Sequence, residues 1–435
     1  MALKDWSFNM NDRQFSNELQ IEIDDVYSCP GHCPGCVLST LERRTEKPDM
    51  INETLVRTIN KLKNYIPKLK NLDKVNLTYG IADHFLMSNE YLAHTYDLGA
   101  SLIESANLTN PHNGVFYTAS MIGKHNLIMD KIKFMHDLSK KRKVPFYIIA
   151  VLDPKNLYHK KFADIYKENI IKTNELIGRV DLSINLSEEA INLITPEELY
   201  QFALSNHFDE VTINWTPTFD NLPFVYMNQE KLTKWLLLFD SLIAKDNKLG
   251  TSYRPVMMRT INNLKCKSPE QSFSFQDNLE NNLSELIYKS IQIDEKGNIF
   301  PKYEAIGDIS HTPRLGFEAI GNMYDDIEII DMFNKNINKT RQTITKLFTK
   351  EPCNSCEYNL YCANSGFHIY NHVLNAASPK DVNIEMKVKD NIKNLGCPHL
   401  AKSMFKHYEV VCESIDIINS TQKLIDNHLS IVSNS

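Results

Sequence analysis

Between residues 19 and 215 the chain alternates short apolar runs with longer stretches whose apolar residues recur at helical spacing. The runs are Leu19–Ile23, Val75–Tyr79, Val115–Thr118, Phe146–Leu152, Val180–Leu186 and Val211–Trp215. In the first, Leu19-Gln20-Ile21-Glu22-Ile23, apolar and polar positions alternate as in a strand with one buried face. Segments such as Ile51–Leu69 carry the period of an amphipathic helix. Strand-then-helix units repeated along a chain predict an α/β fold with a parallel sheet wrapped by helices. In such folds the loops that leave the strand C-termini carry the chemistry, which directs attention to the residues just beyond each run.

Past about Tyr253 the pattern changes. Ile291-Gln292-Ile293, a turn containing Gly297, and Ile299-Phe300-Pro301 predict a β-hairpin. Ile320-Gly321-Asn322-Met323 and a short helix near Ile327–Phe333 follow. The expected organisation is an α/β domain over 1–252, a smaller α+β domain over 253–400 and a helical extension over 401–435.

Composition changes this picture little. The chain has 435 residues, 42% hydrophobic and 23% charged, with a formal net charge of −6, an ordinary globular balance. Its dense basic run, Lys140-Lys141-Arg142-Lys143, reads as a solvated helix end, so nucleic acid is not the expected partner. No apolar stretch approaches the ~18 to 20 residues that span a bilayer, so no membrane partner is expected. The first residues lack the apolar core of a signal peptide, and a cytoplasmic location is expected.

The cysteines change it a great deal. Nine are present, and in a reducing compartment short spacings point to metal ligation and away from disulfides. Cys29, Cys33 and Cys36 lie in one loop directly after the first predicted strand. Three thiolates can hold three irons of a cubane cluster and leave the fourth open, whereas a structural site closes its shell with a fourth ligand. A zinc knuckle or a redox-active Cys-x-x-Cys pair uses similar spacings. At the other end, Cys353, Cys356, Cys362 and Cys397 suffice to close the shell of a cubane cluster or a zinc ion. Ligand count alone does not separate the two.

The triad spacing, placed after the first strand, resembles the signature of the radical S-adenosylmethionine (SAM) superfamily. The resemblance implies a partial (βα)6 barrel, a [4Fe-4S] cluster on Cys29, Cys33 and Cys36, and SAM chelated at the open iron and cleaved to a 5′-deoxyadenosyl radical that abstracts hydrogen from a substrate. The family commonly has an aromatic residue before the third cysteine, where this chain has Gly35. It commonly has Gly-Gly-Glu-Pro after the second strand, where Ile81-Ala82-Asp83-His84 stands here. That alignment makes Asp83 the residue expected to meet the SAM ammonium. A turn acid beside a surface imidazole at His84 is the competing reading. Ser120 and Asn185, at the ends of the third and fifth strands, are candidates for the SAM carboxylate and ribose. Asn214-Trp215-Thr216-Pro217-Thr218 is a candidate cavity lining or a core segment.

From about Cys266 to Cys397 the hairpin, the Gly-Asn segment, the short helix and the Cys-x2-Cys-x5-Cys run resemble the SPASM extension of that superfamily. Two positions that supply ligands to a first auxiliary cluster are Lys302 and Gly366 here. The expectation is therefore one auxiliary [4Fe-4S] cluster, on Cys353, Cys356, Cys362 and Cys397, and two clusters in all. Cys266 is a residual ligand, a hydrogen-atom donor or an inert core residue. Cys412 reads as a buried hydrophobe.

SPASM-bearing proteins mostly modify peptides or proteins. The resemblance thus implies an oxidoreductase that crosslinks, epimerises or oxidises a ribosomal peptide or protein, supplied with electrons by a reductase, flavodoxin or ferredoxin. The short segment before the triad is not expected to form a leader-binding domain. A small-molecule substrate and a non-catalytic zinc-binding partner protein are the alternatives.

Overall fold

A computed structural model describes residues 18–31, 38, 41–44, 47–69, 72–158, 160–185, 188–214, parts of 231–251, 289–301, 319–336 and 355–356. Six parallel strands follow in chain order: β1 (Glu18–Ile23), β2 (Lys74–Tyr79), β3 (Gly114–Ala119), β4 (Phe146–Leu152), β5 (Val180–Asn185) and β6 (Glu210–Asn214). The helices between them are α1 (Asn52–Tyr65), α2 (Asn89–Ser105), α3 (His125–Arg142), the short α4 (Lys155–Tyr158), α5 (Lys160–Ile177), α6 (Glu188–Leu193) and α7 (Pro196–Ser205).

The strands match the predicted runs to within a residue or two at each end. One set of alternate positions explains why. Leu19, Ile21 and Ile23 of β1, Val75, Leu77 and Tyr79 of β2, and Val180, Leu182 and Ile184 of β5 are all buried in one core with Leu55, Ile59 and Leu62 of α1, Tyr96 of α2, Ile132 of α3 and Ile170 of α5. Gly99 lets α2 approach the sheet closely: a β-carbon there would lie 3.0 Å from both Leu77 and Val115. The intervening positions, which face the other side of the sheet, are polar in β1 and β2: Glu18, Gln20 and Glu22 beside Lys74, Asn76 and Thr78. A parallel sheet covered by helices on both faces is apolar on both. Here the face away from that core is polar at β1 and β2.

Local signals set several boundaries. Ser88 caps α2 by accepting from Tyr91 N, and Thr195 and Glu198 form a reciprocal capping box at α7. Lys143 ends α3 in the left-handed region.

The hairpin forms as expected, with β8 (Ser290–Ile293) and β9 (Asn298–Pro301) joined through Gly297 at φ 78°. Its location was not legible. β8 runs parallel to β1, and β10 (Gly321–Asn322) pairs antiparallel with β9, so the hairpin widens the sheet at the β1 edge. β7 (Gly250–Thr251) pairs with β6 at the opposite edge, giving ten strands in one sheet among the described residues. Helix occupies 329–336, two residues later than the predicted start. The expected boundaries at 252/253 and 400/401 lie outside the described residues. No helix among the described residues is long and apolar enough to cross a membrane.

Candidate functional site

The C-terminal ends of β1, β2 and β3 are linked in series: the β2 loop meets the stem of the triad loop at Ser28, and the β3 end meets the β2 loop at Asp83. The chain leaves β1 through Asp24 and Asp25, passes Cys29, and returns at Asp49 and Met50 to enter α1. Its neck is closed by the Asp25 carbonyl, which accepts from Asp49 N (2.9 Å) and Met50 N (3.1 Å). The hairpin holds the outgoing strand: Asp24 N donates to the Ile293 carbonyl (2.9 Å), Gln292 Nε2 donates to Asp24 Oδ2 (3.0 Å), and the Tyr27 hydroxyl donates to Glu295. Tyr27 N donates to Asp49 Oδ2 (2.7 Å) across the neck.

Cys29 is partly exposed at the outer end of this stem. Its N–H donates to the Arg43 carbonyl (3.1 Å), and its Sγ accepts from Gly31 N (3.3 Å). Arg43 Nη1 in turn donates to the Gly31 carbonyl (2.8 Å). An N–H aimed at the sulfur is a bond that a metal-bound cysteine also accepts, so the surroundings of Cys29 fit a metal ligand. Cys33 and Cys36 lie outside the described residues, as do Cys266, Cys353, Cys362, Cys397 and Cys412. Cys356 is described and partly exposed.

The loop after β2 carries Asp83. Ile81 stands at φ 73°, and Ala82 N donates to the Gly80 carbonyl (3.0 Å) across it, a tight turn of the strained, positive-φ kind. A branched side chain in that region is a genuine outlier. Met121, just beyond β3, is also left-handed at φ 55°. Strained backbone at two adjacent strand ends accords with a functional site.

Asp83 and Ser120 meet. Asp83 N donates to the Ser28 carbonyl (3.0 Å), one residue before Cys29. Its Oδ1 accepts from Phe85 N (3.0 Å), and its Oδ2 accepts from Ser120 N (3.2 Å) and from the Ser120 hydroxyl. Both residues are buried, and burial raises the Asp83 carboxyl above the usual range despite the opposing bonds from Ser120 and Phe85. The third candidate, Asn185, ends β5 two strands away, paired with Asn214 of β6. Its side chain lies outside the described residues. Trp215–Thr218 do also.

His84 is not the surface imidazole of the competing reading. It is fully buried, and its Nε2 lies 2.7 Å from Asp25 Oδ1. Asp25 Oδ2 accepts from the Tyr91 hydroxyl of α2 (2.7 Å). The His84 ring packs against both Tyr79 and Tyr117, with centroids 6.1 and 5.6 Å away, while the two tyrosine rings stack on each other at 5.3 Å. Burial disfavours the imidazolium, but the Asp25 carboxylate, with Asp83 behind it, outweighs burial and leaves the pKa above the ordinary histidine value. Lys131 of α3 adds a further anchor by donating to the Phe85 and Met87 carbonyls. The sequence reading missed Asp25, Tyr91 and Lys131. The available signal was two acids placed directly between an apolar strand and Val26, where solvent exposure is not expected.

Comparison with known protein families and with curated proteins finds no match. Among solved structures, the chain is similar to anSMEcpe with bound AdoMet and Cp18Cys peptide, at 13% identity and TM-score 0.49, over 89% of this chain and 99% of that one. It is similar to Streptococcus suis SuiB bound to the precursor peptide SuiA, at 14% identity and TM-score 0.42, over 73% of this chain. It spans 64% of that SuiB chain's length. The form of SuiB bound to S-adenosylmethionine gives 14% identity and TM-score 0.46, over 81% of this chain and 74% of that one. By its own sheet order and the position of Cys29 beyond β1, the chain has the barrel-like α/β architecture that the radical SAM resemblance implies, widened at its first edge by a hairpin.

Proposed function

We propose that the chain is a radical SAM enzyme that modifies a peptide or protein. The carrying observation is the stem of the triad loop: Cys29, a partly exposed residue, sits beyond β1 with its sulfur accepting an N–H, next to Ser28, whose carbonyl accepts from Asp83 of the β2 loop. A cluster held by Cys29, Cys33 and Cys36 would supply the electron that cleaves SAM, chemistry that protein side chains cannot provide.

The chain's own residues supply placement. Asp83 and Ser120 act as a unit, because the carboxylate fixes the hydroxyl, and Asp83 N also donates to the Ser28 carbonyl, one residue before Cys29. In this reading the pair faces the methionyl end of SAM, and Asn185 serves the ribose. Cys353, Cys356, Cys362 and Cys397 hold an auxiliary cluster that relays an electron or orders the substrate pocket, with Cys266 a hydrogen-atom donor. Peptide or protein substrates follow from the SPASM resemblance of the C-terminal half, and an external flavodoxin, ferredoxin or reductase supplies the electron.

The test is anaerobic reconstitution of the full chain, with iron and sulfide determined per chain and 5′-deoxyadenosine followed after adding SAM and dithionite. About eight irons with nucleoside release supports the two-cluster enzyme. Bound zinc without nucleoside release overturns it and assigns the cysteines a structural role.

A further inference from the structure

The pair Asp25–His84 lies beneath the site and is used by none of the steps above. Asp25 is the neck residue of the triad loop. Its carbonyl ties the outgoing stem to the returning one at Asp49 and Met50, and its two carboxylate oxygens reach outward to His84 of the β2 loop and Tyr91 of α2. His84 is the neighbour of Asp83, which binds Ser28 on one side and Ser120 of the β3 loop on the other. One chain of contacts therefore runs from the triad neck through the β2 loop to the β3 loop.

Stability alone does not account for such a pair. Both side chains are 0% exposed, and replacing a buried ionic pair with apolar residues of similar volume is often neutral or stabilising. What a directional buried contact adds is a single permitted geometry between the two segments it joins. Here those segments are the loop of Cys29 and the loop of Asp83.

The geometry points to His84 as a positioning residue: through Asp25 it fixes the triad loop against the β2 loop, and so sets the separation between the metal-ligand loop and the Asp83–Ser120 pair. The inference rests on the proposed function for its consequence, weaker SAM binding, but the mechanical coupling can be read without any cofactor.

Three full-length variants test it. His84→Phe keeps an aromatic ring against Tyr79 and Tyr117 but removes the partner of Asp25. His84→Gln keeps a nitrogen that can occupy the Nε2 position. His84→Leu removes the same partner of Asp25 with a smaller apolar side chain, and replaces His84→Phe if that variant does not fold. In metal-free protein, hydrogen–deuterium exchange is followed in peptides covering 24–31, 47–51 and 80–87, with 146–152 of β4 as control. In reconstituted protein, iron per chain and SAM affinity are measured.

The expected result for His84→Phe is exchange at least tenfold faster in the three loop peptides, unchanged exchange in β4, retained iron, and SAM binding weakened at least tenfold. His84→Gln should restore most of both effects. Unchanged loop exchange overturns the inference. So does acceleration that is equal in β4, which would signal general destabilisation, or SAM affinity within twofold of wild type. If the wild-type chain binds neither iron nor SAM, the functional reading fails, and the exchange data still decide whether the coupling exists.

Discussion

Asp83 and Ser120, 37 residues apart in the chain, share a buried contact in which the serine hydroxyl and its own N–H both donate to one carboxylate oxygen, Oδ2. A buried carboxylate stripped of a charge-assisted bond bears its desolvation cost with less compensation. Ser120→Ala should therefore lower stability by about 1–3 kcal/mol and weaken SAM binding. Thermal melts and a SAM titration of the reconstituted protein check both. Unchanged SAM binding would separate Ser120 from the ligand.

The strained turn at Ile81 yields a contrast between two isoleucines. Left-handed backbone costs a branched residue about 1–3 kcal/mol, and glycine relieves that cost. Ile81→Gly should change stability by less than about 1 kcal/mol, because strain relief offsets the lost, half-buried side chain. The same exchange at Ile23, buried in extended β1, should cost at least about 3 kcal/mol. Urea denaturation of the two variants measures the difference.

At the opposite end of the sheet, Glu210 begins β6 beside Arg179 (3.5 Å) and near Asp181. Burial, then the Asp181 charge, pushes its pKa from 4.5 up to about 7, with Arg179 opposing. The folded state thus holds a proton that the unfolded state releases at lower pH. Its contribution is fully favourable below pH 4.5 and is lost as pH rises to about 7. Glu210→Gln should flatten that fall and raise the melting temperature at pH 8. With the side chain 37% exposed, the gain is on the order of 1 kcal/mol after solvent screening. Melting curves at pH 5 and pH 8 provide the check: an equal shift at both would refute the titration.

The cysteines divide into two experiments. Cys29→Ala should abolish 5′-deoxyadenosine formation and remove about four irons while the sheet still melts cooperatively. Cys397→Ala should remove a similar amount of iron and destabilise the C-terminal half, because metal ligation contributes folding free energy. Iron content unchanged in the second variant would refute the auxiliary site.

The repeating strands were legible because each carries its own local signal, a run of apolar residues at alternate positions flanked by helical periodicity. β7 and β10 were not read as strands, since two residues such as Gly250-Thr251 or Gly321-Asn322 have no period of their own and exist only by pairing. The same holds for the join between β8 and β1, a relation between residues some 270 positions apart that no local pattern encodes. Within the site, the cysteine spacing and Asp83 stood out as residue types in a pattern. The Asp25–His84 contact did not, because each partner is ordinary in its own segment.

That join also sets an order of events during synthesis. β1 gains its first neighbour once β2 emerges, but its other edge stays unpaired until residues 290–293 are made. At ribosomal rates of about 5–20 residues per second, that edge waits for tens of seconds. Asp24, whose N–H bonds to Ile293 and whose carboxylate bonds to Gln292, cannot settle before then. The nascent chain therefore carries an open strand edge, beside a loop rich in thiols, through most of its translation. Fragments that stop short of residue 290 would keep that edge permanently and should self-associate through it.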